Sequence, residues 1–208
     1  YDLAYLRALP GIQLASPRDA IDLGRMLQAA VEAKGPWALR WPRDTAPDSL
    51  GPPENLRPAL EPGLAEKLRE GEDGAVFALG AMVEEAMEAA RLLEEDCGFQ
   101  LEVWDARFCA PLDKGALAHI SRRHPWLAAV EDHSLCGGFT AAVAETLADL
   151  GCDVKLHRFG VPDLFVEHMS TRREQMEAFG LTAPLLAEEW RKRVEESREA
   201  EPAPRAHA

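Results

Sequence analysis

Apolar and polar residues follow one another in blocks that predict strands and helices in turn. Residues 12–16 (IQLAS) form a short apolar run between turn residues, which is typical of a buried strand. Ser16, as N-cap, and Asp19 then form an S-x-x-D capping box and predict the start of a helix. The apolar positions of that helix lie three and four residues apart: Leu23, Met26, Leu27, Ala30 and Val31. Gly35 ends it, and residues 37–41 (WALRW) predict a second strand parallel to the first.

A second strand and helix series follows a proline-rich stretch. Residues 46–71 contain five prolines and predict a semi-extended linker. The strands predicted after it are residues 75–80, 101–108, 127–132 and 154–160. Helices are expected between them, with Asp113 as one N-cap and Gly137 and Gly138 opening another. The two helices predicted to close the chain are residues 171–179 and 183–196.

This alternation predicts an α/β fold, a three-layer α/β/α sandwich with a mostly parallel sheet, preceded by a partial α/β domain. The predicted boundaries are a partial domain (1–48), a linker (49–71), a second domain (72–196) and a disordered tail (197–208). Two parallel strands and one helix cannot form a stable domain alone. We therefore expect upstream residues or a partner chain to complete the first domain, and the start at Tyr1 favours a piece of a longer protein.

Charge and cysteine usage narrow the class of protein. A formal net charge of −13 argues against nucleic-acid binding and against anionic membrane surfaces. No apolar run approaches the roughly 18 residues that span a bilayer. The four cysteines show no C-x-x-C spacing, so they are interpreted as reduced thiols of a cytoplasmic protein and not as a metal site.

Two arginines at a strand end are the main candidates for ligand binding. Arg40 and Arg43 lie on either side of a Trp-Pro pair, where ligands of parallel α/β sheets bind. Guanidinium groups bind phosphate bidentately, so an anion site is one interpretation. The alternative is a surface arginine paired with Asp44 or Asp48.

Two further stretches hold chemically capable side chains. In residues 131–138 (EDHSLCGG) these are Glu131, Asp132, His133 and Cys136. A Cys-His nucleophile, a metal site or a backbone anion site is conceivable there, but no third group orients the histidine, and structural packing is favoured. In residues 159–168, Asp163 is a candidate cap and His168 a lone surface histidine. No nucleotide-binding, metalloprotease or nucleophile-elbow motif occurs, so no catalytic residue, cofactor ligand or metal ligand is assigned.

Taken together, the segments resemble a known enzyme family. YDLAYLRALPGIQLASPRDAIDLGRML, GPWALRWPRD, DARFCAPLD, AAVEDHSLCGGFTAAVAE and FGVPDLFVEH occur in the order and spacing of the 1-deoxy-D-xylulose-5-phosphate synthase branch of the transketolase family. The resemblance covers residues 1–194. The opening DLAYLR and the WPR turn point to this branch, whereas residues 75–168 share their pattern with 2-oxo acid dehydrogenase β subunits.

The resemblance implies a role within a larger enzyme. Enzymes of this branch use thiamine diphosphate and Mg²⁺ to join pyruvate to D-glyceraldehyde 3-phosphate, with loss of CO2, as cytoplasmic homodimers. The product is a precursor of isoprenoids, thiamine and pyridoxal. The chain would hold the last third of the pyrimidine-binding domain and the transketolase C-terminal domain. Arg43 matches the arginine that binds the substrate phosphate, and Arg40 is a second candidate. The cofactor ligands would lie upstream, so this piece alone is expected to bind no cofactor and to be inactive.

Two departures and two alternatives accompany the resemblance. Asp44 and Met169 stand where glycine is usual in the family. A carboxylate at position 44 would compete with the phosphate for Arg43 unless it points away. The alternatives are another transketolase-type enzyme or 2-oxo acid dehydrogenase β subunit, and a non-catalytic dimerisation module.

Overall fold

The computed structural model describes residues 1–47, 49–167 and 171–200, with only the backbone of Ala200. The strands are β1 (Gln13–Ala15), β2 (Trp37–Leu39), β3 (Glu66–Arg69), β4 (Ala75–Ala78), β5 (Glu102–Asp105), β6 (Phe108–Ala110), β7 (Trp126–Ser134) and β8 (Lys155–Val161). The helices are α1 (Asp2–Leu6), α2 (Ala20–Glu32), α3 (Met82–Cys97), α4 (Lys114–Arg123), α5 (Phe139–Asp149), α6 (Arg172–Ala178) and α7 (Ala183–Ala200). No helix in these ranges is long and apolar enough to span a membrane.

The larger sheet has five strands in the order β3-β5-β4-β7-β8, and every pair except β3-β5 is parallel. Alternate residues of its strands enter two different cores. Val76 and Ala78 of β4 pack with residues of α3 and α7, including the fully buried Trp190. Ala75 and Phe77 of the same strand pack on the other face with residues of α4 and α5. The predicted three-layer α/β/α sandwich with a mostly parallel sheet is confirmed.

The smaller sheet has the order β2-β1-β6 and joins the beginning of the chain to the larger unit. β1 and β2 are parallel, as the strand-helix-strand pattern predicted, and β6 adds antiparallel to β1. The prediction of a single strand over 101–108 is wrong, because Arg107 adopts a positive φ of 56° and turns the chain between the two sheets. β5 therefore belongs to one sheet and β6 to the other.

Three boundary predictions are also corrected. The N-cap of α2 is Asp19, whose carboxylate accepts a hydrogen bond from the Asp22 amide, whereas the Ser16 hydroxyl bonds the Arg40 carbonyl. The expected linker 49–71 contains strand β3, an edge strand of the larger sheet. Its charged sequence, EKLR, lacks the apolar pattern that predicts a strand. The last helix continues to Ala200, so residues 197–200 are not a disordered tail; residues 201–208 lie outside the described residues.

The apolar stripe predicted for α2 is only partly buried. Met26 is inaccessible to solvent, but Leu27 and Val31 are 55% and 79% exposed. The N-cap at Asp113 is confirmed by a hydrogen bond from the Ala116 amide. Helix α3, by contrast with α2, buries an apolar face that includes Val83, Ala86 and Ala90. The difference arises because α7 covers α3, whereas Leu27 and Val31 of α2 face solvent in the described structure.

A buried charge cluster connects α2, the 49–71 segment and the larger sheet. Its members are Arg18, Asp19, Asp22, Arg57, Glu66, Asp105 and Arg107. The Arg18 guanidinium donates to Glu66 at 2.8 Å and to Asp105 at 2.7 Å. Arg57 donates to both oxygens of Asp19, at 2.9 and 2.6 Å. Removing one partner from such a group leaves an uncompensated buried charge, so the cluster holds the two parts of the chain together.

The pKa values in this cluster reflect burial opposed by the neighbouring arginines. Burial raises the pKa of Asp105 to about 6, although Arg18 opposes this shift. For Glu66, burial acts in the same upward direction, but hydrogen bonds from Arg18 and Arg107 outweigh it and the pKa is lowered. The two carboxylates therefore contribute opposite slopes to the dependence of stability on pH.

We expect Asp105→Asn to remove one component of that pH dependence. The folded pKa of about 6 lies above the ordinary value of 3.8, so between these pH values the folded state retains a proton that the unfolded state releases. The stability that Asp105 contributes is therefore present near pH 4 and lost as the pH rises to 6, by at most about 1.4 kcal/mol per pH unit. Urea unfolding of wild type and variant at several pH values measures the difference. A difference independent of pH would contradict the assignment.

Candidate functional site

Arg40 and Arg43 follow the carboxyl end of β2, where the two sheets approach each other. The Arg40 amide donates to the Ala15 carbonyl at 2.9 Å, and its own carbonyl accepts from the Ser16 hydroxyl at 2.7 Å. The backbone is thus tied to β1 up to Arg40. Beyond it, Pro42 restricts φ and Arg43 leaves the sheet, as expected for a residue at a strand end.

The side chain of Arg40 is engaged by protein carboxylates. It donates to Asp132 on β7, through both the carboxylate and the carbonyl, and lies 3.6 Å from the Asp2 carboxylate. Burial alone would lower the pKa of Arg40, but the attraction of Asp132 and Asp2 outweighs it and the pKa is raised. In this structure, protein carboxylates therefore occupy the donors of the Arg40 guanidinium.

Arg43 is in the opposite situation. It is exposed, and among the described residues its guanidinium has no hydrogen-bond or ion-pair partner. Asp44 does not pair with it: one Asp44 oxygen accepts from the Thr45 amide at 2.8 Å, and the other lies 3.9 Å from Arg172. Asp48, the other proposed partner, lies outside the described residues. Among the described residues, the Asp44 carboxylate thus contacts Thr45 and Arg172 and makes no ion pair with Arg43.

Glu131 in the EDHSLCGG stretch caps α5. Its buried carboxylate accepts hydrogen bonds from the Phe139 amide at 2.6 Å and from the amide and hydroxyl of Thr140 at 2.9 and 2.8 Å. A Cβ at Gly138 would overlap this carboxylate, which explains the glycine. Burial nevertheless raises the pKa of Glu131. Both acceptor oxygens are used within the protein, as the structural interpretation of this stretch expected.

His133 and Cys136 do not form a nucleophile pair in the described structure. The His133 ring is buried, its Nδ1 lies 3.1 Å from the Ser134 carbonyl oxygen and its Nε2 3.4 Å from Asp2. Burial lowers the pKa of this histidine. Cys136 is exposed and contacts Ser134 through its backbone amide. His133 faces a cleft of about 360 Å³ that Arg40 and Phe165 also line.

Other candidate residues show no site of their own. Asp163 is exposed in the loop after β8, and His168 and Met169 lie outside the described residues. Within the described ranges, no group of three or more His, Cys, Asp or Glu side chains could hold a metal ion.

Sequence reasoning missed the residues that surround Arg40. The sequence indicates Asp132 as one of the chemically capable side chains of residues 131–138 but not as a partner of Arg40, and it gives no signal for Asp2 or Arg172. Arg172 donates to the Asp132 carboxylate at 3.2 and 3.3 Å, so this one carboxylate joins two arginines. The partners are 92 and 40 residues from Asp132, and no local pattern signals such contacts.

Comparison with known proteins assigns the family. The sequence pattern of the transketolase C-terminal domain matches residues 63–185, more than half of the chain. The chain therefore belongs to the transketolase family. The match begins before β3, which supports placing that strand in the C-terminal domain.

Curated relatives at higher identity indicate the branch. The chain is 40% identical to 1-deoxy-D-xylulose-5-phosphate synthase from a Synechococcus species over 188 residues, 90% of this chain and 29% of the relative. The same enzyme from Magnetococcus marinus is 40% identical over 190 residues, 90% of this chain and 30% of the relative. The chain thus spans about three tenths of the length of these relatives.

Solved structures agree with the fold. A split-gene transketolase, described as an inactive β4 tetramer, superposes with a TM-score of 0.83 at 34% identity, covering 93% of this chain and 61% of that one. Transketolase from Campylobacter jejuni superposes with a TM-score of 0.66 at 20% identity, covering 89% of this chain and 27% of that one. The second likeness concerns the fold alone.

Proposed function

We propose that this chain is the C-terminal portion of a thiamine-diphosphate-dependent synthase. The complete enzyme joins pyruvate to D-glyceraldehyde 3-phosphate and yields 1-deoxy-D-xylulose 5-phosphate and CO2. The observation that carries the proposal is 40% identity across nine tenths of the chain to relatives that bear this enzyme's name. The product would supply isoprenoid, thiamine and pyridoxal biosynthesis in the cytoplasm.

The role proposed for this chain is to bind the acceptor phosphate and support the assembly. Arg43 is the proposed phosphate ligand, because it is exposed, unpaired among the described residues and placed at a strand end. Thiamine diphosphate supplies the decarboxylation chemistry when bound, and its ligands, with Mg²⁺, would come from the part of the enzyme outside this chain. The exposed face of α2 is consistent with a further portion of the domain packing there, and we propose that the complete enzyme is a homodimer.

The test is an assay of the complete enzyme that contains this sequence. It is incubated with pyruvate, D-glyceraldehyde 3-phosphate, Mg²⁺ and thiamine diphosphate, and products are followed by mass spectrometry. We expect deoxyxylulose 5-phosphate and CO2. Use of a ketose phosphate donor in place of pyruvate would favour another transketolase-type enzyme, and transfer to a lipoyl acceptor would favour a 2-oxo acid dehydrogenase. No turnover by the complete protein would favour the dimerisation module.

The 208-residue chain alone is expected to be inactive under the same conditions. Its described residues hold no group that fits the cofactor's metal, and the chain spans about three tenths of its relatives. Calorimetric titration with Mg²⁺ and thiamine diphosphate is expected to show no binding. Turnover by the isolated chain would contradict this part of the proposal.

A further inference from the structure

Three consecutive apolar side chains are exposed in the loop that follows β8. Leu164, Phe165 and Val166, called the apolar loop below, are 45%, 90% and 42% exposed. None of the three belongs to a hydrophobic core of the described chain. Single exposed apolar residues are ordinary, but a contiguous apolar surface marks a place where another protein segment packs. The apolar loop is therefore a candidate interaction surface.

The apolar loop forms one wall of the cleft of about 360 Å³ that His133 faces. Met176 of α6 and Phe179, which follows that helix, also line the cleft, so its apolar lining continues beyond the loop. Tyr1 is exposed and lines the same cleft. One cleft thus contains both the apolar loop and the first residue of the chain.

Acidic side chains flank the apolar loop on both sides. Asp163 precedes it and Glu167 follows it, and both are exposed. Among the described residues, neither carboxylate has a hydrogen-bond or ion-pair partner. An apolar centre with a polar rim is the usual composition of a protein interface. The segment that fits this surface therefore has apolar side chains flanked by basic or hydrogen-bond-donating ones.

We infer that the cleft receives the segment of the complete enzyme that leads into Tyr1, an inference that rests on the proposed function. In that enzyme the preceding residue is bonded to Tyr1, so its Cα lies about 3.8 Å from the Tyr1 Cα. The segment therefore passes the cleft in every state of assembly. A tethered segment has an effective concentration on the order of millimolar, which favours it over a second copy of the protein.

Photo-crosslinking in the complete enzyme tests which chain covers the apolar loop. Phe165→p-benzoylphenylalanine keeps an aromatic ring and, on irradiation, forms a bond to a C–H group within its reach. We expect a cross-linked product with the mass of one chain, in which mass spectrometry of peptides joins position 165 to a residue that precedes Tyr1. Its yield should be unchanged by about tenfold dilution, because linkage within one chain does not depend on concentration.

A second probe position and a matched control complete the design. Val166→p-benzoylphenylalanine leaves Phe165 in place and is expected to give the same linked segment. Leu150→p-benzoylphenylalanine is the control, because Leu150 is also an exposed leucine but lies at the end of α5, before β8 begins. It stands at the other end of that strand from the apolar loop, and we expect no cross-link there.

Three results would overturn the inference. They are a product with the mass of two chains, which would place a second copy over the apolar loop, no cross-link at either probe position, and an equal yield at Leu150. A linked segment in an enzyme that forms no deoxyxylulose 5-phosphate would instead overturn the proposed function and leave the packing of the segment standing. The two failures are therefore distinguishable.

Discussion

Arg43→Ala in the complete enzyme is expected to lower kcat/KM for D-glyceraldehyde 3-phosphate by about 100-fold, because charge-assisted bonds to a phosphate contribute roughly 1.5–3 kcal/mol each. The loss should appear mainly in the acceptor KM. Steady-state kinetics with each substrate varied in turn measure it. Arg43→Lys should recover part of the affinity, since lysine keeps the charge but not the bidentate geometry.

We expect the loss of activity in Arg43→Ala to be specific to the phosphorylated acceptor. With unphosphorylated D-glyceraldehyde as acceptor, Arg43→Ala and wild type should have similar activity, because the group that Arg43 binds is then missing. Arg173→Ala, which removes an exposed positive charge from α6, serves as control for the general electrostatic field and should leave both acceptors unaffected. An equal loss with both acceptors would remove Arg43 from the phosphate site.

Arg18→Ala is expected to lower the free energy of unfolding of the chain by about 3–5 kcal/mol, because it leaves Asp105 and Glu66 buried without their shared partner. Glu66 keeps the Arg107 guanidinium as a partner, whereas Asp105 keeps only the hydrogen bond from the Arg107 amide. Urea unfolding at neutral pH measures the change. Arg91→Ala is the matched control, since its partners Glu88 and Glu95 lie on the exposed surface of α3, and no change in the unfolding midpoint is expected.

The cost of Arg18→Ala should depend on pH. Without Arg18, the pKa values of Asp105 and Glu66 rise, and the folded state takes up protons that neutralise them. The destabilisation is therefore expected to be smaller near pH 5 than near pH 7.5. The same loss at both pH values would indicate that missing side-chain packing, and not the unpaired charges, determines the effect.

Much of the fold was predictable because its signals are local. The strand at β4, the N-cap at Asp113 and the parallel pairing of β1 with β2 follow from apolar periodicity, capping chemistry and connection length. The errors occurred where the tertiary structure outweighs such signals. β3 has a charged sequence that resembles a solvated linker, yet Glu66 is buried because Arg18 and Arg107 neutralise it.

The candidate site was predictable in part. The position of Arg43 at a strand end indicated an anion site, and the resemblance named the phosphate. Neither the strand-end position nor the resemblance could show whether the Asp44 carboxylate pairs with the Arg43 guanidinium, because that depends on the direction of the Asp44 side chain. In the structure Asp44 faces Arg172, which begins α6 far along the sequence.

By itself, the sequence determined most of the strands and helices, the α/β class and the family, since these depend on periodicity and on motifs of neighbouring residues. Only the tertiary structure decided which charges meet. Arg40, Asp132 and Arg172 are separated by 92 and 40 residues, and they converge because the tertiary fold brings together the ends of β2 and β7, which belong to different sheets, and the start of α6. A sequence does not show whether a charged side chain faces water or another charge. Burial determines how much the pairing matters for stability, because a buried charge without a partner is costly.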